Sequence, residues 1–383
     1  MKIAVYTLTS ELHDERAVEA GTHEFLEGLG IEYVFRGSDY ADYGSLPLSL
    51  IYVRTGGTEG IFLRLLPTLL EKSRQPFYLL TSGKSNSLAA SMEILSYLRQ
   101  KGIQGEILHG SNAYITGRIA TLARVAEARQ QLAGKKLGVI GRPSDWLISS
   151  GADYGVVRER LGIELVDISM QELLDAIDDC AIYEGLKKVI CAHQLNGFTL
   201  RCFDLLTALK STGCLALAKL NSEGYVAGCE GDVPAMLSMM IARSLTGVSG
   251  FQANPARINP DTGELLFAHC TIPLDMVERY ELDTHFESGI GVGVRGYMKE
   301  GPVTLFKVSG DLKRSFVAEG MLVRNTAEPD LCRTQQVIQL SDASQASYFL
   351  TNPIGNHHIV IPSHCRELLE ETLRLAIPSS TDK

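Results

Sequence analysis

The run CEGDVPAMLSMMIARSL sets two acids, Glu230 and Asp232, directly ahead of a strongly apolar helical stretch. Acids at a helix start have two readings. They complement the helix dipole and cap its first turn, or they project from a strand-to-helix turn at the carboxyl edge of a parallel sheet, where ligands bind in such folds. Downstream, FQANPARINP carries Asn254 after a candidate strand, and LFAHCTIP carries His269 inside an apolar β run. A histidine there is either a satisfied core residue or a ligand. TNPIGNHHIVIPSH places His357 and His358 after a Gly-Asn turn and before a further β run. Adjacent residues on a strand face opposite ways, so at most one of the pair points into a shared site. Carboxylate, amide and imidazole side chains beside predicted strand ends suit an oxygen-rich site for a divalent metal.

The elements that must position these residues alternate in type. Apolar runs at Lys2 to Leu8, Ile31 to Phe35, SLIYVR, PFYLLTS and GEILHG are separated by helical stretches at Asp14 to Gly30, after the Gly-rich turn Thr55 to Gly60, and at Ser87 to Lys101. Strands alternating with helices predict a parallel sheet covered on both faces. A long helix from Ala113 to Gly134 leads to KKLGVIG, where the alternation restarts. Further β runs follow at IELVDIS, KKVICAH and CLALAKLN, with helices near Tyr154 to Leu161, Gln171 to Asp179 and Phe203 to Ser211. Beyond Gly247 the texture changes to short β runs split by Gly, Pro and Asn (LLFAHCTIP, VTLFKVSG, SFVAEGMLV, TQQVIQLS), a mainly antiparallel pattern. An amphipathic helix from Cys365 to Ala376 closes the chain. The expected fold is α/β: two consecutive parallel-sheet domains, 1–134 and 135–250, the second carrying Glu230, then a mainly antiparallel β domain with a closing helix, 251–383.

Composition narrows the function classes. A net charge of -9 argues against nucleic acid, whose binders concentrate Lys and Arg on one face. Eight cysteines, at 180, 191, 202, 214, 229, 270, 332 and 365, form no CxxC pair and read as reduced thiols. The N-terminal residues lack an export signal, and no apolar run approaches the ~20 residues of a membrane span; a cytoplasmic location without membrane contact is expected.

The segments LNSEGYVAGCEGDVPAMLSMMI, FQANP, LLFAHCTIP and GNHHIVIPSHCRELLEETLRLA, in that order and spacing, resemble the L-fucose isomerase family and, more loosely, the L-arabinose isomerases. That resemblance covers essentially the whole chain and is most specific over Gly224 to Pro273 and Gly355 to Ala376. It implies two flavodoxin-like domains before the β-rich one, a homo-oligomer (trimer or hexamer), and interconversion of aldoses and ketoses at a divalent cation, usually manganese, held by two acids and a C-terminal histidine. Glu230 takes the first acidic position and the general-base role, with Asp232 a second catalytic candidate. Asn254 falls where the second acid is expected, and an amide oxygen can ligate a metal but cannot be an anionic base. His269 matches the histidine that follows the second acid in arabinose isomerases, and His357, then His358, match the C-terminal ligand.

Substrate contacts follow from position. Arg142 and Trp146 in GRPSDWLI come after a predicted strand and would face the crevice, with a sugar packed on the indole; the indole reads equally as core. Arg201, Lys219 and Asn221 stand near element ends and would reach a polar ligand or serve at the surface. TGGTEG lacks the residues of a phosphate loop and reads as a tight turn. GIGVGVRG, Gly289 to Gly296, reads as a flexible loop beside the site. The expected activity is aldose-ketose isomerisation of a hexose, deoxyhexose or related sugar through an enediolate; a non-catalytic sugar-binding or sensor protein on the same fold, or a related epimerase or lyase, are the alternatives.

Overall fold

The computed structural model describes residues 3–73, 75–177 and 181–376. The chain divides into two compact units, one up to Gln130 and one from Gln131 onward. In the first, β1 (Ile3–Leu8), α1 (Glu15–Leu29), β2 (Val34–Gly37), β3 (Leu48–Val53), α2 (Glu59–Lys72), β4 (Phe77–Leu80), α3 (Ser87–Gln100), β5 (Gly105–Leu108) and α4 (Asn112–Leu132) follow one another. Every strand pairing is parallel and the order is β2-β1-β3-β4-β5, the flavodoxin-like arrangement. β1, β3 and β4 are buried along their whole length, as strands with helices on both faces must be.

The second unit opens on the same plan. β6 (Lys136–Ile140), α5 (Tyr154–Leu161), β7 (Glu164–Ile168), α6 (Met170–Ile177), α7 (Ile182–His193), β8 (Gly197–Leu200), α8 (Cys202–Leu209), α9 (Cys214–Ser222), β9 (Val226–Cys229) and α10 (Val233–Thr246) build a parallel sheet ordered β7-β6-β8-β9. Two apolar runs expected as strands are helical. KKVICAH is the end of α7, whose buried Gly185, Leu186, Val189 and Ile190 recur at helical spacing. CLALAKLN is α9, apolar on most sides because it is buried on most sides. The strands themselves, GFTL and VAGC, are four residues each, too short to announce a period. Asp179 and Cys180 lie outside the described residues.

After α10 come β10 (Phe251–Ile258), β11 (Glu264–His269), β12 (Arg279–Asp283), β13 (Gly293–Tyr297), β14 (Gly301–Val308), β15 (Ser315–Thr326), β16 (Thr334–Leu340), α11 (Tyr348–Thr351), β17 (His358–Ile361) and α12 (Arg366–Ala376). Six of these strands close a barrel in the order β10-β11-β16-β15-β14-β17, with antiparallel neighbours. The architecture is therefore the expected one, parallel α/β sheets followed by antiparallel β structure. GIGVGVRG departs from expectation: from Gly293 it is β13, paired with β12 from Asp283↔Gly293 to Arg279↔Tyr297.

Helix α10 joins the two layers of the second unit. Twelve of its residues are buried, so it has no polar face, and it touches β8 and β9 of the sheet and β10, β14 and β17 of the barrel. The turn that feeds it is strained. Glu230 and Gly231 both take left-handed backbone, φ 62 and 72, and for a residue with a Cβ this costs about 1–2 kcal/mol. Two backbone bonds hold the turn: Gly231 N–H donates to the Leu200 carbonyl at 3.0 Å, and Ser144 N–H to the Glu230 carbonyl at 2.9 Å. A Cβ on Gly231 would land against the Arg142 carbonyl oxygen and 2.7 Å from Pro143 Cα, backbone atoms that cannot step aside. Gly231→Ala is expected to lower stability by about 2 kcal/mol or more, read as a lower urea midpoint at unchanged slope. An unmoved midpoint would show that the turn is not fixed in this conformation.

Candidate metal centre

Three side chains from three elements converge at the carboxyl edge of the second sheet. Glu230 leaves the end of β9, His269 ends β11, and His357 directly precedes β17. Each imidazole turns Nε2 toward Glu230 Oε1, at 3.6 Å in both cases, and one ligand atom from each residue lies within 4.8 Å of the others. All three residues are buried. His357 Nε2 is a buried polar atom with no hydrogen-bond partner among the described residues, a cost proteins seldom carry unless something else meets the atom.

A second layer aims the first. Asp232 is 0% exposed and caps α10, accepting the Ala235 N–H at 2.8 Å on Oδ1. Lys307 of β14, 1% exposed, donates to both of its oxygens at 3.2 and 3.1 Å. Oδ2 also meets His357 Nδ1 at 2.9 Å. A carboxylate only accepts, so Nδ1 carries the proton there and Nε2 is left for the opposite side. Burial works against the charge on Glu230, yet His357 and His269 outweigh it and hold its carboxyl well below the usual carboxylate range. Burial opposes Asp232 too, and Lys307 and His357 hold it down. Burial pulls His357 downward, but Glu230 and Asp232 prevail and push the ring up to about 9. Asp232 has both oxygens engaged and meets the three converging groups through His357 Nδ1 alone, so its place is behind that ring.

His358 faces the other way, as strand alternation requires. Its Nε2 meets the Tyr348 hydroxyl at 3.0 Å and its Nδ1 the Asn356 carbonyl at 3.0 Å, and burial pushes the ring down to about 3. It is a fixed core residue and not a ligand. Asn254 Oδ1 accepts from Asn356 Nδ2 at 3.2 Å, while Asn356 Oδ1 accepts the His357 N–H at 2.8 Å; the amide thus steadies the turn before His357 instead of joining the three. Two residues earlier on the same strand, Gln252 spans the Cys229 backbone, accepting its N–H at 2.9 Å and donating to its carbonyl at 3.1 Å. Gln252 and Lys307 were not among the sequence candidates.

Trp146 stands at the site: its Nε1 donates to Glu230 Oε2 at 2.7 Å, and the indole is 52% exposed. The loop that bears it is clamped by Arg201, which donates to the Pro143 carbonyl at 2.6 Å and to both Asp145 oxygens at 3.2 and 2.7 Å. Arg201 is buried, so the surface role considered for it does not apply. Phe203 meets the indole edge-on at 4.8 Å between centroids. Arg142 begins the same loop with a left-handed φ of 74; its side chain is 75% exposed and 3.8 Å from Asp145. Lys219 is exposed and lies over the Tyr183 ring on the wall of a separate cavity. Asn221 is buried and spent on the Leu217 and Ala227 backbone. Neither touches the three converging residues. The described cysteines are free thiols, and Cys202 and Cys229 bring their sulfurs to 3.2 Å beside Glu230.

Comparison with known proteins bears on this geometry. The chain is 23% identical over 313 residues to a sulfoquinovose isomerase of Alkalicoccus urumqiensis, covering 70% of this chain and 70% of that protein. It is 23% identical over 281 residues to a sulfoquinovose isomerase of Clostridium sp. (strain MSTE9), covering 63% of this chain and 60% of that protein. Its relatives are sugar isomerases. They do not single out the fucose isomerases, and no family model matches the chain.

Two imidazole nitrogens and one carboxylate oxygen, with one nitrogen unpartnered, fit a first-row divalent ion; the donor set does not choose among manganese, iron, nickel and zinc. Trp146 is the only tryptophan, which makes it a reporter. Manganese binding is expected to quench its fluorescence with a one-to-one end point, and Glu230→Gln or His357→Ala to raise the concentration needed by tenfold or more. Quenching unchanged in both variants would remove the ion from this site.

Proposed function

We propose that the protein is a metal-dependent aldose-ketose isomerase, working through an enediolate with a divalent cation, manganese in the first instance, at Glu230, His269 and His357. One observation carries the reading: the convergence of a carboxylate and two imidazoles, one of them with a buried, unpartnered nitrogen, at a sheet edge. The two isomerase relatives support it. No helix among the described residues is long and apolar enough to cross a membrane.

In such a reaction a proton leaves C2 and returns to C1 while a hydroxyl proton moves from O2 to O1. The cation, when bound, polarises the carbonyl and neutralises charge developing on the two oxygens. Glu230 is assigned the proton transfer because, of the two acids, it alone faces the site; Asp232 has both oxygens engaged. Its histidines keep Glu230 in the ionised form that a base must have, while the same pair weakens its basicity. Trp146 fixes its second oxygen and offers half of its indole as a platform for the sugar.

The proposed substrate is an aldohexose or a deoxyhexose. A sulfonated hexose such as sulfoquinovose, after which both relatives are named, heads the panel, and Arg142, a largely exposed guanidinium on the Trp146 loop, is proposed to meet its anionic end. The same reading carries a homo-oligomer, a trimer or hexamer.

Manganese-loaded protein incubated with a panel of aldoses in deuterated water is expected to place deuterium at C2 of the recovered aldose, seen by NMR. Glu230→Gln should slow this exchange by at least ~10²-fold while leaving the fold intact. Metal binding with no exchange on any sugar would sink the isomerase reading in favour of a sugar-binding protein. Arg142→Ala is expected to raise KM about tenfold for a sulfonated hexose and leave that for an uncharged one unmoved; equal effects on both would withdraw Arg142 from anion recognition.

A further inference from the structure

The ion pair behind the site has no evident purpose in folding. Lys307 sits on a barrel strand with 1% exposure and faces Asp232, which has none. Burying such a pair is costly, and apolar replacements of similar volume are often neutral or stabilising. Helix α10 does not need it either, because an asparagine caps as well as an aspartate. What the pair does fix is direction. With Oδ1 shared between the Ala235 N–H and the ammonium, and the ammonium reaching Oδ2 as well, the carboxylate cannot rotate. Its Oδ2 is then presented to His357 Nδ1 at 2.9 Å. Facing an ammonium, the group stays an acceptor, and the imidazole proton must sit on Nδ1. Nε2 is left facing Glu230 and His269 without a hydrogen-bond partner, and is the nitrogen that a metal can take once the ring is neutral.

We infer that Lys307 is a positioning residue for the metal centre: through Asp232 it locks His357 in the tautomer and orientation whose Nε2 can ligate. The inference rests on the metal-centre reading of the preceding section. Partners of this kind, which bond to a ligand and not to the metal, set the affinity of metal sites by 10–100-fold.

The test compares Lys307→Met with the double variant Lys307→Met/Asp232→Asn, which keeps a helix cap and leaves no unpaired buried charge. In the double variant the amide oxygen stays on Ala235 and its NH2 turns toward His357, which then carries its proton on Nε2. Manganese affinity is measured by electron paramagnetic resonance well below each variant's melting temperature. Both variants are expected to bind 10–100-fold more weakly than the natural chain; binding within twofold of it by the folded double variant overturns the inference, and the double variant decides the matter if the single one does not fold. Long-range proton–nitrogen NMR at about pH 10 on metal-free protein supplies a readout independent of metal. The natural chain should show His357 protonated at Nδ1, and the double variant at Nε2. An Nδ1–H ring in the double variant overturns the orienting role of the Lys307–Asp232 pair whatever the metal does. Failure of the natural chain to bind manganese, with the tautomer shift present, would leave Lys307 its orienting role and reject manganese as the ion.

Discussion

Charge has to be balanced where water cannot reach it, and this governs the second unit more than any other requirement. Glu230, Asp232, Lys307 and His357 are all buried, three of them almost completely. An isolated charge in such surroundings is prohibitive, so buried charges occur in compensating sets. With its imidazole raised to about 9, His357 is protonated near neutrality: two carboxylates then face one ammonium and one imidazolium, and the set is neutral. A divalent cation beside Nε2 would displace that proton and take over its electrostatic part, which is why the unpartnered nitrogen and the raised ring belong to the same explanation.

The requirement reaches outward into the fold. Glu230 comes from the parallel sheet, His357 and Lys307 from the barrel, and Asp232 from the helix that touches both. None can move alone. Gln252 ties barrel strand β10 to the last residue of β9 through two hydrogen bonds, and Val308, next to Lys307, donates its N–H to Ser238 of α10 at 3.0 Å. The left-handed backbone at Glu230 is the local cost of this registration. Residues held in such conformations persist where their surroundings over-determine them, and here the Ser144 bond, the Leu200 bond and the indole of Trp146 do so.

What the sequence made legible was whatever lies in a local pattern. The alternation of strands and helices, the change of texture near Gly247, and the acids and histidines at strand ends are features of neighbouring residues. Lys307 is not. In VTLFKVSG a lysine at an alternating position reads as the solvent face of a strand, and nothing nearby announces that α10 covers that face. Gln252 was hidden beside Asn254: both lie on one face of the same strand, and the family comparison drew attention to the second. KKVICAH and CLALAKLN misled for the opposite reason, since helices packed between other elements lose the polar stripe that distinguishes them from buried strands.

The two readings of Glu230 and Asp232, as helix-start acids or as site residues, prove not to compete. Asp232 does cap α10, and the cap is what aims it: with one oxygen held on the Ala235 N–H, the other must face outward from the first turn, where His357 Nδ1 lies. Gly231, left-handed and pressed against the Arg142–Pro143 backbone, reverses the chain between the acids. One carboxylate therefore reaches Nδ1 at 2.9 Å and the other approaches Nε2 at 3.6 Å, on opposite edges of a single imidazole. An alanine in place of the glycine would cost this geometry. The helix cap and the carboxylate that faces Nε2 are two consequences of the same turn.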